Sequence, residues 1–118
     1  MNTLSQLEPY APFAVLLAWF AYRWWSAQRV KAGLPGLKQQ GATLVDVRSA
    51  QEYLQAHAPG TINIPLQQLG ARLSEIPRSQ PVVVCCASGT RSAMALLLLK
   101  KNGFARVVNA GSWTQLVD

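Results

Sequence analysis

Histidine and cysteine are nearly absent from this chain. A single imidazole, His57, among 118 residues excludes every multi-histidine metal centre, and a Ser-His-Asp hydrolase would have to be built on it. The two cysteines, Cys85 and Cys86, are adjacent, which excludes a disulfide-stapled scaffold and a four-cysteine zinc site. Charge is also scarce: 14% of residues are charged, against about 25% in an average domain, while half are apolar. Disorder over most of the chain is thereby excluded, because disordered segments are charge-rich and poor in apolar side chains. The length fits one domain.

The net charge of +6 is unevenly spread. Residues 1–22 carry only Glu8, residues 23–38 carry Arg23, Arg29, Lys31 and Lys38, and residues 39–118 carry seven bases against four acids. The basic excess directly follows the uncharged run Pro9–Tyr22. A membrane flank has this pattern. A nucleic-acid patch would sit on the folded domain with interleaved aromatics, so no nucleic-acid partner is expected.

A helix from Pro12 to about Lys31 would reach roughly 30 Å at 1.5 Å per residue, with Pro12 suited to its first turn. Arg23 could snorkel towards headgroups, and Trp19, Tyr22, Trp24 and Trp25 would form an interface belt. The leading expectation is a single-pass anchor through residues 12–31 in the cell (inner) membrane. The basic flank would then put the N-terminus outside and the remainder in the cytoplasm, a reducing compartment that suits two free cysteines. Two alternatives stay open. One is a signal peptide, although Lys and Arg are missing before the run and no small-x-small site follows it. The other is a helix packed on the domain or lying in the interface, although no polar stripe runs through residues 12–22 to favour the in-plane version.

Residues 1–31 therefore read as a hydrophobic helix with a basic flank, residues 32–41 (with Gly33, Pro35 and Gly36) as a linker, and residues 42–118 as the folded domain. In that domain, Thr43–Val47 reads as a buried strand. Ser49 with Glu52 three residues on forms a capping box opening a helix to about Gln55. Pro59–Gly60 is a turn and Thr61–Ile64 a short strand. Leu66, Leu69, Leu73 and Ile76 recur at helical spacing until Pro77. Pro81–Cys85 is a continuous apolar strand of the kind a parallel sheet buries. A helix over Arg91–Asn102 stops at Gly103, Arg106–Asn109 is a last strand, and Ser112 caps a final helix with Trp113, Leu116 and Val117 facing inward. Strand-helix alternation predicts an α/β domain with a parallel sheet covered on both faces.

The segment Cys86-Ala87-Ser88-Gly89-Thr90-Arg91-Ser92 lies between the clearest strand and the clearest helix. Ligands of open α/β sheets bind beyond the carboxyl ends of strands. A loop of small residues there can turn its N–H groups inward as an anion-binding nest, reinforced by the positive end of the next helix. Gly89 permits the turn and Arg91 adds a permanent cation. A cysteine in such a cradle is a thiolate at neutral pH, held where an anionic substrate would also bind.

These segments, in this order, resemble the rhodanese-like sulfurtransferases. LVDVRSAQEY (Leu44–Tyr53) is similar to the family's D-V-R-x-x-x-E-[YF] run, and HAPGTINIP (His57–Pro65) to its H-I-P-G-A-x-N-I-P segment. VVVCCASGTRSAMA (Val82–Ala95) resembles its strand, C-x-x-G-x-R-S loop and helix, and GFARVVNAGSW (Gly103–Trp113) its closing segment. The resemblance implies a small three-layer α/β domain with a four- to five-stranded parallel sheet. No short strand precedes residue 42, which favours four. It implies Cys86 as the sulfur-carrying nucleophile and Ala87, Ser88, Gly89, Thr90, Arg91 and Ser92 as the substrate cradle. Chemistry would proceed by double displacement through a Cys86 persulfide, with no metal or organic cofactor. The partners implied are a small sulfur-containing anion or a persulfide as donor, and a thiol acceptor of thioredoxin-like or sulfur-carrier type. The closing segment is shortened, and the loop holds one cation where thiosulfate-specific members often have more.

Asp46, Arg48 and Glu52 read as structural support, with Arg48 and Glu52 four apart and able to pair. His57 reads as a turn anchor. Two other functions remain open: a non-catalytic regulatory module, and a phosphatase in which Cys85-x5-Arg91-Ser92 is the anion loop. The second would put the nucleophile inside the strand, with Val84 where such enzymes usually have histidine.

Overall fold

A computed structural model of the chain describes residues 6 and 8–117. After a 3-10 turn at Glu8–Tyr10, the elements are α1 (Ala11–Gln39), β1 (Thr43–Asp46), α2 (Ala50–Gln55), β2 (Thr61–Asn63), α3 (Leu66–Leu69), β3 (Val82–Cys86), α4 (Thr90–Lys101) and β4 (Val107–Ser112). Further 3-10 turns lie at Leu73–Glu75 and Trp113–Leu116. The four strands pair in parallel in the order β2-β1-β3-β4.

Side-chain alternation along the strands makes two cores. On one face Val45, Val47, Val82, Val84 and Cys86 pack with Leu69, Ala95 and Leu99, from α3 and α4. On the other, Leu44, Val83, Cys85 and Ala110 pack with Leu34 of α1 and Leu116. Adjacent residues of a strand point to opposite faces, so the two cysteines are separated by the thickness of the sheet.

Helix α1 begins where expected, with Pro12 in its first turn, but departs from the expectation at its C-terminal end. It does not stop near residue 31 but runs to Gln39 through Gly33, Pro35 and Gly36. The expected linker is therefore largely helix. An interior proline costs about 3 kcal/mol. Val30, Leu34 and Leu37 offset that cost by packing at i, i+4 and i+7 on the second core, with Leu34 only 3% exposed.

From Ala11 to Trp25 every residue of α1 is exposed. These include Phe13, Leu17, Trp19, Phe20, Trp24 and Trp25. Yet among the described residues no helix is long and apolar enough to cross a membrane. The uncharged part of α1 ends at Tyr22, and Arg23 and Arg29 follow within two turns, so the spanning anchor is not supported.

Smaller departures have local causes. The stretch Leu66–Ile76 is broken at Gly70–Ala71 into α3 and a 3-10 turn, although Leu69 and Ile76 are still buried. The final helix is a 3-10 turn capped by Ser112, whose hydroxyl accepts from Thr114 N–H. It buries Leu116 but leaves Val117 exposed. The capping box of α2 is present in both directions between Ser49 and Glu52.

Candidate active site

Cys86 ends β3 and α4 begins at Thr90, so Ala87–Gly89 form the connecting loop at the carboxyl edge of the sheet. Gly89 has φ +110°, and a Cβ there would meet the Cα of Gly111 at 3.3 Å. The backbone conformation requires glycine, and the close approach leaves a Cβ little room. The turn brings Gly89 N–H to 2.9 Å from Cys86 Sγ, with the N–H groups of Ser88 and Ser92 also directed at the sulfur.

The electrostatics of the two cysteines diverge. Burial raises the Cys86 thiol, but the Ser92 hydroxyl and the N–H groups of Ser92, Gly89 and Ser88 outweigh it, and the net displacement is downward. Cys85 is buried in the opposite core without such donors. Burial, then the Asp46 charge, push it up to about 12 despite the opposing Arg48. The register that would use Cys85 as nucleophile thus points its sulfur away from the loop, into an apolar core.

Ser92 is fully buried. Its hydroxyl lies 3.4 Å from Cys86 Sγ and donates to Asn109 Oδ1 at 2.6 Å. Asn109 was not singled out by sequence reading. It precedes a register shift between β3 and β4, where Val84 faces Asn109 and Cys85 faces Gly111. Its Oδ1 also accepts from Gly111 N–H at 2.8 Å, and its Nδ2 donates to Gly89 O at 3.3 Å. One side chain therefore shapes the irregular strand, anchors the loop and holds Ser92. The polar residue late in an otherwise apolar strand was the available signal.

The Arg91 guanidinium is paired with a carboxylate across the loop, and its charge still faces Cys86. It binds Glu52 of α2 through both nitrogens, at 2.7 and 3.0 Å. That bond, aided by Ser49, holds the Glu52 carboxyl down at about 2 despite some desolvation. The expected Arg48–Glu52 pair is absent. Arg48 is instead buried against Asp46, with contacts of 3.0 and 2.8 Å, donates to Ala56 O at 2.7 Å, and stacks on Trp113. Competition decided the outcome: Asp46, itself fully buried, is two residues away, while the helix start aims Glu52 across the loop mouth at Arg91. His57 lies outside the loop, stacked on Tyr53 at 3.8 Å with Nδ1 2.7 Å from Tyr53 O.

Ala87 completes the loop, and Ser88, Gly89 and Thr90 at the start of α4 line a cleft of about 770 Å³ to which Cys86, Ala87, Arg91 and Ser92 do not contribute. The facing wall is α1, contributing Tyr22, Arg23 and Ser26. Arg23 donates from Nη2 to Ser88 O at 3.4 Å, and Gln115 donates to Ala27 O at 2.9 Å, which pins α1 beside the site. Sequence reading took Arg23 for a membrane flank. Nothing local indicated that it returns to residue 88.

Comparisons with known proteins agree with this architecture. The model of the rhodanese-like domain matches residues 26–117, so the match begins inside α1. The chain is 39% identical over 70 residues to the putative sulfur carrier protein YrkF of Bacillus subtilis, covering 59% of this chain and 38% of that one. It is 38% identical over 69 residues to the thiosulfate sulfurtransferase PspE of Escherichia coli, covering 57% and 66%. The chain therefore spans less than two thirds of either relative. A solved structure of a rhodanese with anions from E. coli superposes with a TM-score of 0.59 at 33% identity, covering 63% of this chain and 89% of that one. The chain belongs to the rhodanese-like domain family.

Proposed function

We propose that this rhodanese-like chain moves sulfane sulfur from a donor to a thiophilic acceptor through a persulfide on Cys86. The observation that carries the reading is the Cys86 sulfur itself, held 2.9 Å from Gly89 N–H within a ring of donors that favours the thiolate. The thiolate attacks the outer sulfur of thiosulfate or of an organic persulfide. The bond between that sulfur and its neighbour breaks, and sulfite or a thiolate leaves with the electron pair. An acceptor thiolate then attacks the outer sulfur of the Cys86 persulfide and regenerates Cys86. The same N–H groups stabilise the anionic sulfur at each stage, and neither step changes the net oxidation level. A small thiol or a thiol-bearing carrier protein of thioredoxin-like or sulfur-carrier type fits the acceptor role.

The test is intact mass after incubation with thiosulfate or glutathione persulfide. One added sulfur is expected on the native chain and on Cys85→Ser, and none on Cys86→Ser. Sulfur retained by Cys86→Ser would overturn the assignment, and a native chain that takes up none would favour the regulatory module.

For location, we propose attachment to a membrane surface without crossing it. The exposed apolar side chains between Phe13 and Trp25, followed by Arg29 and Lys31, support that reading. Flotation with vesicles containing anionic lipid tests it; a chain that stays at the bottom of the gradient argues against it.

A further inference from the structure

The Gly89 N–H that donates to Cys86 Sγ at 2.9 Å shares one peptide unit with the Ser88 carbonyl. The two ends of a planar trans peptide point in opposite directions, so the N–H meets the sulfur and the carbonyl is turned away from it. That carbonyl is bound from 65 residues away: Arg23 of α1 donates from Nη2 to Ser88 O at 3.4 Å. The guanidinium is held over the Trp19 ring at 5.0 Å. Packing sets the place of Arg23. Val30, Leu34 and Leu37 rest on the second core, Gln115 donates to Ala27 O, and Arg23 comes four residues before Ala27, on the same face of the helix.

The peptide needs such a tie. Gly89, at φ +110°, has no Cβ, so rotation of the Ser88–Gly89 peptide, which would swing the N–H off the sulfur, meets little steric resistance. Resting on the sulfur-transfer reading, we propose that Arg23 is a positioning residue for Cys86: bonded to Ser88 O, it holds the Ser88–Gly89 peptide in place and polarises it, which makes the N–H a stronger donor to the sulfur. Hydrogen bonds in a chain strengthen one another, and a charged donor roughly doubles the strength of the bond it makes. The N–H groups of Ser92, Gly89 and Ser88 are among the groups that bring the Cys86 thiol below its ordinary value, so Arg23 acts on the thiolate from behind the loop. The other ionisable groups bearing on the sulfur are Arg91 of α4, tied to Glu52 of α2, and Cys85 of β3, with Asp46 of β1 and Arg48 behind it. Among the described residues none of them bonds Arg23.

The experiment follows alkylation of Cys86 by iodoacetamide against pH, with the modified cysteine identified by peptide mass. The reagent is uncharged and needs no sulfur donor. Arg23→Gln keeps helix propensity and removes the charge. It should move the Cys86 profile up by about half a pH unit and slow alkylation below the midpoint about threefold, a fraction of the effect of losing a charged bond made directly to the sulfur. Arg23→Lys, which restores a cationic donor, should recover part of the shift. Gln115→Ala removes another tie between α1 and the domain without touching the Ser88–Gly89 peptide, and its profile should match the native one. An unmoved profile in Arg23→Gln, or an equal shift in Gln115→Ala, overturns the inference. Intact mass after incubation with thiosulfate or glutathione persulfide separates the two readings. A shifted profile in a chain that neither donor loads leaves Arg23 in its role and sinks the sulfur-transfer reading, whereas normal uptake with an unmoved profile sinks only the role of Arg23.

Discussion

The Ser92 hydroxyl lies 2.6 Å from Asn109 Oδ1 and 3.4 Å from the Cys86 sulfur, so its single proton has two acceptors. With a neutral thiol, Ser92 donates to Asn109 and accepts from Cys86. When the thiolate forms, the hydroxyl can turn its proton to the sulfur while Gly111 N–H continues to satisfy Asn109.

Removing this hydroxyl should therefore raise the Cys86 pKa. In a Cys85→Ser background, Ser92→Ala is expected to slow alkylation of Cys86 by iodoacetamide at neutral pH by about tenfold, the lower end of the effect of losing one hydrogen bond to a charged group. The pH profile of alkylation should move to higher pH. An unmoved profile would show that the backbone N–H groups alone set the thiolate.

Arg91 is placed as a tie between α4 and α2. Arg91→Ala and Glu52→Gln should then lower sulfur transfer by similar factors, about three- to tenfold, and the double variant should lose little more, as expected for two ends of one interaction. Steady-state transfer to cyanide measures all three. A loss confined to Arg91→Ala would return Arg91 to direct contact with the donor.

The same pair gives an acid-sensitive contribution to stability. Folding lowers the Glu52 carboxyl from its ordinary 4.5 to about 2. A depressed carboxyl stabilises the fold fully above the unfolded value, and that contribution is lost as the pH falls from about 4.5 towards 2. Both partners are partly exposed, so the size is about 0.5–1 kcal/mol. Urea midpoints from pH 7 down to 2.5 should converge for the native chain and Glu52→Gln at the acid end and separate above pH 4.5.

Asp46→Asn leaves the Arg48 guanidinium buried without its countercharge. The expected cost is about 3 kcal/mol or more, seen as a lower urea midpoint with unchanged slope. Persulfide formation on Cys86 in the folded fraction should persist, because neither residue contributes a donor to the sulfur.

Leu34→Ala tests whether α1 belongs to the domain. Leu34 is almost fully buried between α1 and the sheet, so the variant should lose about 2–4 kcal/mol. A change within 0.5 kcal/mol, typical of a surface site, would instead mark the helix as peripheral.

Sequence by itself determined what short-range chemistry controls. Ser49 and Glu52, three residues apart, specified the capping box; the apolar run ending at Cys85 specified a buried parallel strand, which the structure carries one residue further to Cys86; and small residues with Gly89 ahead of a helix specified a loop whose N–H groups face a sulfur. Only the tertiary structure decided what depends on long-range meetings. Pro35 and Gly36 read locally as a break, yet the core contacts of Val30, Leu34 and Leu37 outweigh their weak helix preference. Arg91 finds Glu52 at a separation of 39 residues, while the nearer Arg48 is taken by Asp46. Arg23 reaches Ser88, and Ser92 reaches Asn109, because α1 and β4 are laid beside one loop by the packing of the two cores. The choice of partner for a charge or a hydroxyl is a competition among everything within about 3 Å of it, and that set is defined only once the sheet has closed.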